Sequence, residues 1–325
     1  MKETETTLAK TISVAGVNAA YDNACKRILS DKNILAWIMK SCLPEYKTCS
    51  VDEIAANYIE GEPQISDIAV HQDEQKNSSR IQGMNTEDVS INEGTVTYDI
   101  RFYALAPVSG ERIRLIINVE AQNDFYPGYP VVKRNIYYCS RLISSQHGTE
   151  FEGSHYEQIK KVYSIFICMD PPKYRRNTIN CYSIQEENII GNVKEKKENY
   201  DLMAAVMLCL GLKDDEEVSG ILRLLEVLLS SERNAEEKKK ILQEEYGIEM
   251  TKKLDREVSE MCNLSKGVEA RGVQKGMQKG IQKGIQKGIL SSIQTLMVTM
   301  SWTVEQAMDA LKIPKEDRIK YLEKL

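Results

Sequence analysis

The sequence predicts an α/β fold: a mixed β-sheet flanked by helices, followed by a C-terminal helical appendage. Three observations carry this. Residues 95–122 hold two alternating apolar–polar runs separated by turn residues. Residues 161–169 are almost wholly apolar, as a strand covered on both faces requires. From Asn199 onward apolar residues recur at helical spacing. A chain of 325 residues with 42% hydrophobic content is long enough for one sizeable core plus an appendage, at ~150 residues per domain.

The elements follow in order. Residues 1–19 read as a flexible tail. Ile28, Ile34, Leu35, Ile38 and Met39 recur at threes and fours, predicting a helix from Asn23 to Leu43, which Pro44 stops. Residues 52–62 read as a second, short helix. Residues 64–94 are polar and have little apolar periodicity. Between Asp52 and Asp99 there are eleven acids against two bases, and the 64–94 segment reads as a solvated loop or as a lid or partner-binding flap. The run from Thr95 to Leu105 alternates, with Val96, Tyr98, Ile100 and Phe102 on one face. The run from Glu111 to Gln122 places Ile113, Leu115, Ile117 and Val119 inward. Pro107 to Gly110 is turn material. A helix follows from about Val131 to Ser145, then a strand from Lys161 to Met169 and an edge strand at about Asn180–Ile184. Residues 199–212, 216–231, 234–246 and 249–262 read as helices. The domain plan is therefore a core over 20–190, a helical region over 191–265, a repeat over 266–290 and a short helical cap over 291–325.

In the repeat, Gly-Val-Gln-Lys at 272 becomes Gly-Met-Gln-Lys at 276 and Gly-Ile-Gln-Lys at 280 and 284. A period of four drifts by roughly 40° per repeat on a 3.6-residue helix. A glycine every turn weakens a helix by about 1 kcal/mol each relative to alanine. The segment is thus either a helix stabilised by association with a second copy or a flexible linker. In the cap, Ser301 or Thr303 can cap a helix with Val304, Ala307, Met308 and Leu311 apolar. A second helix runs from Pro314 with Ile319 and Leu322 inward.

A net charge of −5 argues against a generally basic surface, so a nucleic-acid partner would meet a local basic patch. The amino-terminal residues MKETETTLAK lack an apolar signal region. The apolar run Leu202–Leu212 is shorter than the ~20 residues a bilayer span needs. The eight cysteines show no CxxC pair and read as reduced, mostly buried thiols of a cytoplasmic protein. No membrane partner is expected.

Alternation puts Glu120 and Gln122 on one face of their strand. If the turn centres on Val108-Ser109, residue 99 pairs with residue 118, and Asp99 and Glu120 are diagonal neighbours ~7 Å apart at Cα. Two carboxylates so placed suit a divalent cation, which supplies Lewis acidity and lowers the pKa of bound water. Hard oxygen ligands favour Mg2+ or Mn2+. The Ala121 carbonyl completes the candidate ligand set, and Gln122 would orient water or a phosphate oxygen.

The runs YDIRF, NVEAQNDFYPGYPVVKRNIYYCSRLIS and SHYEQIKKVYSIFICM resemble the PD-(D/E)XK nuclease family transposases, relatives of the recombination-promoting nucleases. The resemblance covers residues 20–190 and is most specific over 95–170. It implies a restriction-endonuclease-like core: a helix, a hairpin-based mixed sheet, a crossing helix and a further strand. It also implies a magnesium-dependent DNA endonuclease linked to recombination or mobile elements. The family's metal-binding Asp maps onto Asp99 and its Glu-x-Lys/Gln motif onto Glu120 and Gln122. Tyr98 stands where the superfamily commonly has Pro. Gln122 carries no charge where the superfamily commonly has Lys, which leaves transition-state charge to the metal and other donors. For the acid that the first helix often contributes in that superfamily, Glu45 and Asp52 are candidates.

From Glu111 to Arg176 there are ten bases against seven acids. Candidate phosphate contacts are Lys133, Arg134, Arg141, Lys160 and Lys161, with Lys173, Arg175 and Arg176 beyond them. Asn123 and Tyr126 adjoin the motif and are candidates for backbone or base contact; Tyr137 and Tyr138 read as packing residues. Two other readings stand beside an active endonuclease. One is a weak or inactive nuclease-fold module that binds DNA or protein. The other is an assembly protein working through its repeat.

Overall fold

The computed structural model describes residues 19–66, 87–90, 94–107, 112–122, 125–213, 218 and 220–322. The chain divides into two compact units, Met1–Ser265 and Lys266–Leu325.

The first unit opens with helix α1 (residues 19–29) and α2 (Lys32–Cys42). One helix was expected across both. Asp31 interrupts it: in extended conformation, its side chain accepts from the Asn33 amide at 2.9 Å and caps α2. A capping aspartate satisfies a helix start better than a helix interior. Helix α3 (Val51–Asn57), capped by Ser50, is shorter than the expected helix over 52–62. Its tail becomes strand β1 (Ile59–Ile65).

Strands β2 (Glu87–Ser90) and β3 (Gly94–Thr97) form a separate antiparallel pair. Then come β4 (Ile100–Pro107), β5 (Arg112–Gln122), helix α4 (Val131–Ser144), β6 (Val162–Cys168), β7 (Thr178–Ser183) and β8 (Met203–Cys209). The main sheet has six strands in the order β1-β4-β5-β6-β8-β7. β1, β4 and β5 are an antiparallel meander, while β5, β6 and β8 run parallel. β7 closes one edge, antiparallel to β8.

Both faces of the sheet are covered. Ile117 and Val119 of β5, Ile165 and Ile167 of β6, and Val206 and Leu208 of β8 pack with α1, α2 and α5 (Gly220–Leu229). The alternate residues Ile116, Phe166, Cys168, Met207 and Cys209 pack with Val131, Tyr138 and Leu142 of α4. β8 overturns the helix expected over 199–212, and with it the wholly helical region over 191–265. An unbroken apolar run does not distinguish a buried helix from a buried strand by periodicity. Position decides: β8 lies between two strands with apolar layers on both sides. Helices α5, α6 (Ala235–Tyr246) and the first turns of α7 (Lys252–Met300) complete the unit, with Leu242, Leu254, Val258 and Met261 in its core.

The 95–105 run is also broken. Tyr98 and Asp99 form a bend between β3 and β4. As a result Val96 and Tyr98 pack on the α4 side of the sheet, while Ile100 and Phe102 pack on the α1–α2 side. One shared face for all four was the expectation.

In the second unit α7 continues as helix through the Gly-x-Gln-Lys repeat. α8 (Val304–Ala310) starts with a reciprocal capping box between Thr303 and Gln306, and α9 (Lys315–Leu322) follows. Ile293, Ala307, Met308 and Ile313 form its small core. Leu322, expected inward, is exposed. Among the described residues no helix is long and apolar enough to cross a membrane.

Candidate active site

β4 and β5 pair with Ile100 against Val119. Continuing that ladder by one residue sets Asp99 against Glu120, two residues away from the expected register of 99 with 118. A shift of two keeps every side chain on its own face, so the expected meeting of the two acids survives at shorter range. The Glu120 carboxylate accepts from the Asp99 amide at 3.0 Å, and the Asp99 carboxylate accepts from the Ala121 amide at 3.1 Å. Both carboxylates are buried.

Two cations from flanking helices meet these acids. The fully buried Lys26 ammonium of α1 lies 3.0 Å from Asp99 Oδ1 and 2.9 Å from Asp22 Oδ2, one turn back on the same helix. On the other face, the Arg134 guanidinium of α4 lies 3.6 Å from Glu120 Oε2 and donates to Gln122 Oε1 at 3.1 Å. It also donates to the Tyr138 hydroxyl and stands 5.0 Å from the Tyr138 ring centre. Arg134 therefore fixes Glu120 and Gln122 together. Lys26 and Asp22 were not read from the sequence as site residues. The available signal was a lysine beside Cys25 and between the buried positions Ala24, Ile28 and Leu29, with an acid four residues earlier.

Asp22, Asp99 and Glu120 outnumber Lys26 and Arg134 by one charge. Burial pushes the Asp99 carboxyl up, against the pull of Lys26. Burial and then the charge of Asp99 hold the Glu120 carboxyl well above the usual carboxylate range, although Arg134 draws it down. Such a paired, desolvated set of acids is what functional sites tend to collect.

Asp99 and Glu120 are the residues that could hold a small hard cation, alongside or in place of the donors that already meet them: Lys26, Arg134 and the Asp99 and Ala121 amides. Asp99 and Glu120 offer adjacent carboxylate oxygens, and an oxygen that accepts one hydrogen bond keeps a further lone pair. Among the described residues no group of three or more His, Cys, Asp or Glu converges as a metal cage. Magnesium commonly rests on one or two carboxylates, taking its other ligands from water and phosphate. Of the three residues expected to hold a metal, Asp99 and Glu120 meet side chain to backbone, and Ala121 joins them through its amide.

The remaining expected contacts scatter. Asn123 lies outside the described residues. Lys133 is exposed on α4. Arg141 is buried and donates to the Tyr137 hydroxyl at 3.1 Å, so packing rather than solvent claims it. Lys160 pairs with Glu150. Lys161 is held by Glu45 at 3.1 Å and Asp201 at 2.8 Å. That pairing removes Glu45 from the Asp99 cluster too: its carboxylate accepts from Tyr163 and Lys161 near the start of β6. Asp52 is exposed on α3. The acid that α1 brings is Asp22. Tyr138 packs as expected, whereas Tyr137 is exposed.

Compared with family models, curated protein sequences and solved structures, the chain matches none.

Proposed function

We propose that the protein is a divalent-metal-dependent nuclease that hydrolyses DNA phosphodiester bonds in recombination or the movement of mobile elements. One observation carries the reading: Asp99 and Glu120, from the two arms of a hairpin, meet as buried neighbours with Gln122 on the same strand. The order of helices, β1-β4-β5 meander, crossing α4 and parallel β6 supports a restriction-endonuclease-like core.

Asp99 and Glu120 would hold Mg2+ or Mn2+, which when bound supplies Lewis acidity and a more acidic water. Lys26 anchors Asp99 from one side of the sheet. Arg134 anchors Glu120 and Gln122 from the other, and it would offer positive charge to a bound phosphate. The test is plasmid nicking with magnesium, manganese or EDTA, using wild type, Asp99→Ala and Glu120→Ala. Metal-dependent nicking that both substitutions leave intact would remove the site assignment.

A second reading, a nuclease-fold module that binds DNA or protein without turnover, is favoured by one feature: both acids already engage donors of their own chain. In that case wild type binds DNA in the same assay but does not nick it. Self-association through the repeat is proposed separately. Met277, Ile281 and Ile285 are exposed at four-residue intervals on α7, a stripe that a second copy would cover.

A further inference from the structure

The loops that leave β5 and β6 start from the same end of the sheet, because Gln122 and Cys168, the last residues of the two strands, are paired in parallel register. In open α/β sheets the carboxyl ends of parallel strands are where ligands settle. Here those two loops present aromatic rings to solvent. Tyr126, after β5, is 63% exposed and Tyr174, after β6, is 73% exposed. Their hydroxyls lie 3.0 Å apart and tie the two loops together. The Arg175 guanidinium stands 5.9 Å from the Tyr174 ring centre. Tyr129, also exposed, accepts from Arg134 at 3.4 Å, the same arginine that holds Gln122. The aromatic edge is thus continuous with the acidic site.

Charge in these loops runs against that of the whole chain. Residues 123–137 and 169–183 carry Lys133, Arg134, Lys173, Arg175 and Arg176 against Asp124 and Asp170, in a chain of net charge −5. Exposed rings with arginine and lysine between them match the two demands of a nucleic-acid strand: cations for phosphates and flat apolar faces for bases. A base inside a duplex has both faces covered by its neighbours and cannot stack on a tyrosine. An unpaired base can, and every base has such a face, so the contact tolerates any sequence.

We infer that the Tyr126–Tyr174 edge is a docking surface for single-stranded or locally unpaired DNA, and that it delivers a phosphate to the Asp99–Glu120 site from an unpaired strand. This deepens the nuclease reading and rests on it for the identity of the polymer.

The test is binding in EDTA, by fluorescence anisotropy, of a labelled oligo(dT) strand, a blunt duplex of equal length and an oligo(U) strand. The full chain should hold oligo(dT) about tenfold or more tighter than the duplex. Tyr126→Ala/Tyr174→Ala should weaken oligo(dT) binding by at least about 25-fold, the low end for two stacked bases. Tyr126→Phe/Tyr174→Phe keeps both rings while removing the hydroxyl contact, and should stay within about threefold of wild type. Both positions are exposed, and circular dichroism checks that each variant folds. Equal or tighter duplex binding, tighter oligo(U) binding, or an alanine variant that binds like wild type would each overturn the inference. The two readings fail separately. Tyrosine-dependent oligo(dT) binding without metal-dependent cleavage of either the plasmid or oligo(dT) would sink the nuclease reading alone. Nicking with tyrosine-independent binding would sink this inference alone.

Discussion

Lys26→Met should destabilise the protein more than most single substitutions, because it strips the cation from two acids at once. The Lys26 ammonium is fully buried and sits 3.0 Å from Asp99 and 2.9 Å from Asp22. At an effective dielectric of ~20, a charge pair at 3 Å carries about 5.5 kcal/mol of Coulomb attraction. Desolvation of both partners consumes much of that in the native protein. Removing one partner, however, leaves a buried charge without compensation, which costs about 3–5 kcal/mol. For a unit of this size that lowers Tm by roughly 6–20 °C. Methionine keeps the length of the chain and its apolar contacts, so the loss reports on charge. The assay is urea unfolding at neutral and mildly acidic pH, for Lys26→Met, Asp99→Asn and the double variant. The double variant should be more stable than the sum of the singles by at least about 1.5 kcal/mol, since a neutral amide in place of the Asp99 carboxylate no longer needs the ammonium. The pH dependence has a defined sign. Burial pulls Lys26 down, but Asp99 and Asp22 outweigh it and hold the ammonium above the usual lysine range. Its stabilisation is therefore complete below the unfolded value and is lost as pH rises through the folded value. In Lys26→Met the deficit should shrink at acid pH as Asp99 protonates. A loss under about 1 kcal/mol, or strict additivity with Asp99→Asn, would refute the reasoning.

Glu120→Gln tests the other acid. The native Glu120 carboxyl sits above its ordinary value, through burial first and Asp99 second. Between the ordinary and the native value the folded state binds more protons, so stability falls as pH rises through that window. Glu120→Gln should flatten the fall, raise neutral stability by about 0.5–2 kcal/mol and abolish metal-dependent nicking; a less stable variant at neutral pH contradicts this. Arg134→Leu removes the cation that draws Glu120 down, so the acid limb of the pH–rate profile should move to higher pH. Arg134→Lys should restore only part of the shift, because a point charge does not hold Glu120 and Gln122 as a planar fork does; an unmoved limb counts against it. Truncation after Ser265 should leave a folded, monomeric first unit, while light scattering finds the full chain larger than a monomer; equal stoichiometry rules out assembly through the repeat.

The site acids were legible because a strand's period of two survives an error of two in register. Grouping Asp99 with Glu120 and Gln122 needed only the parity of the turn, since a slip of one would have put them on opposite faces. α4, β6 and β7 were legible from Pro and Gly breakers and apolar content. The bend at Tyr98–Asp99 was not, since Val96 and Ile100 look alike in an alternating run and nothing local marks a change of face. β8 was misread for want of its neighbours. Asp22 and Lys26 went unread because their burial depends on what packs against α1. The same gap misplaced Arg141, Lys160 and Lys161: a count of bases does not know that Tyr137, Glu150, Glu45 and Asp201 will claim them.

The point where β1 ends and β4 begins has a further consequence. The Ser66 amide donates to the Asp99 carbonyl at 3.0 Å, so the chain departs the main sheet and re-enters it at one spot, beside the acid. The two ends of the segment 67–98 are therefore pinned together. Loop entropy changes by only about 0.6 kcal/mol for each doubling of such a segment. Added chain length between Ser66 and β2 is therefore entropically inexpensive, whereas Val96 and Tyr98, just before Asp99, are fixed in the core. The fold thus closes this segment directly at the residue on which the proposed chemistry depends.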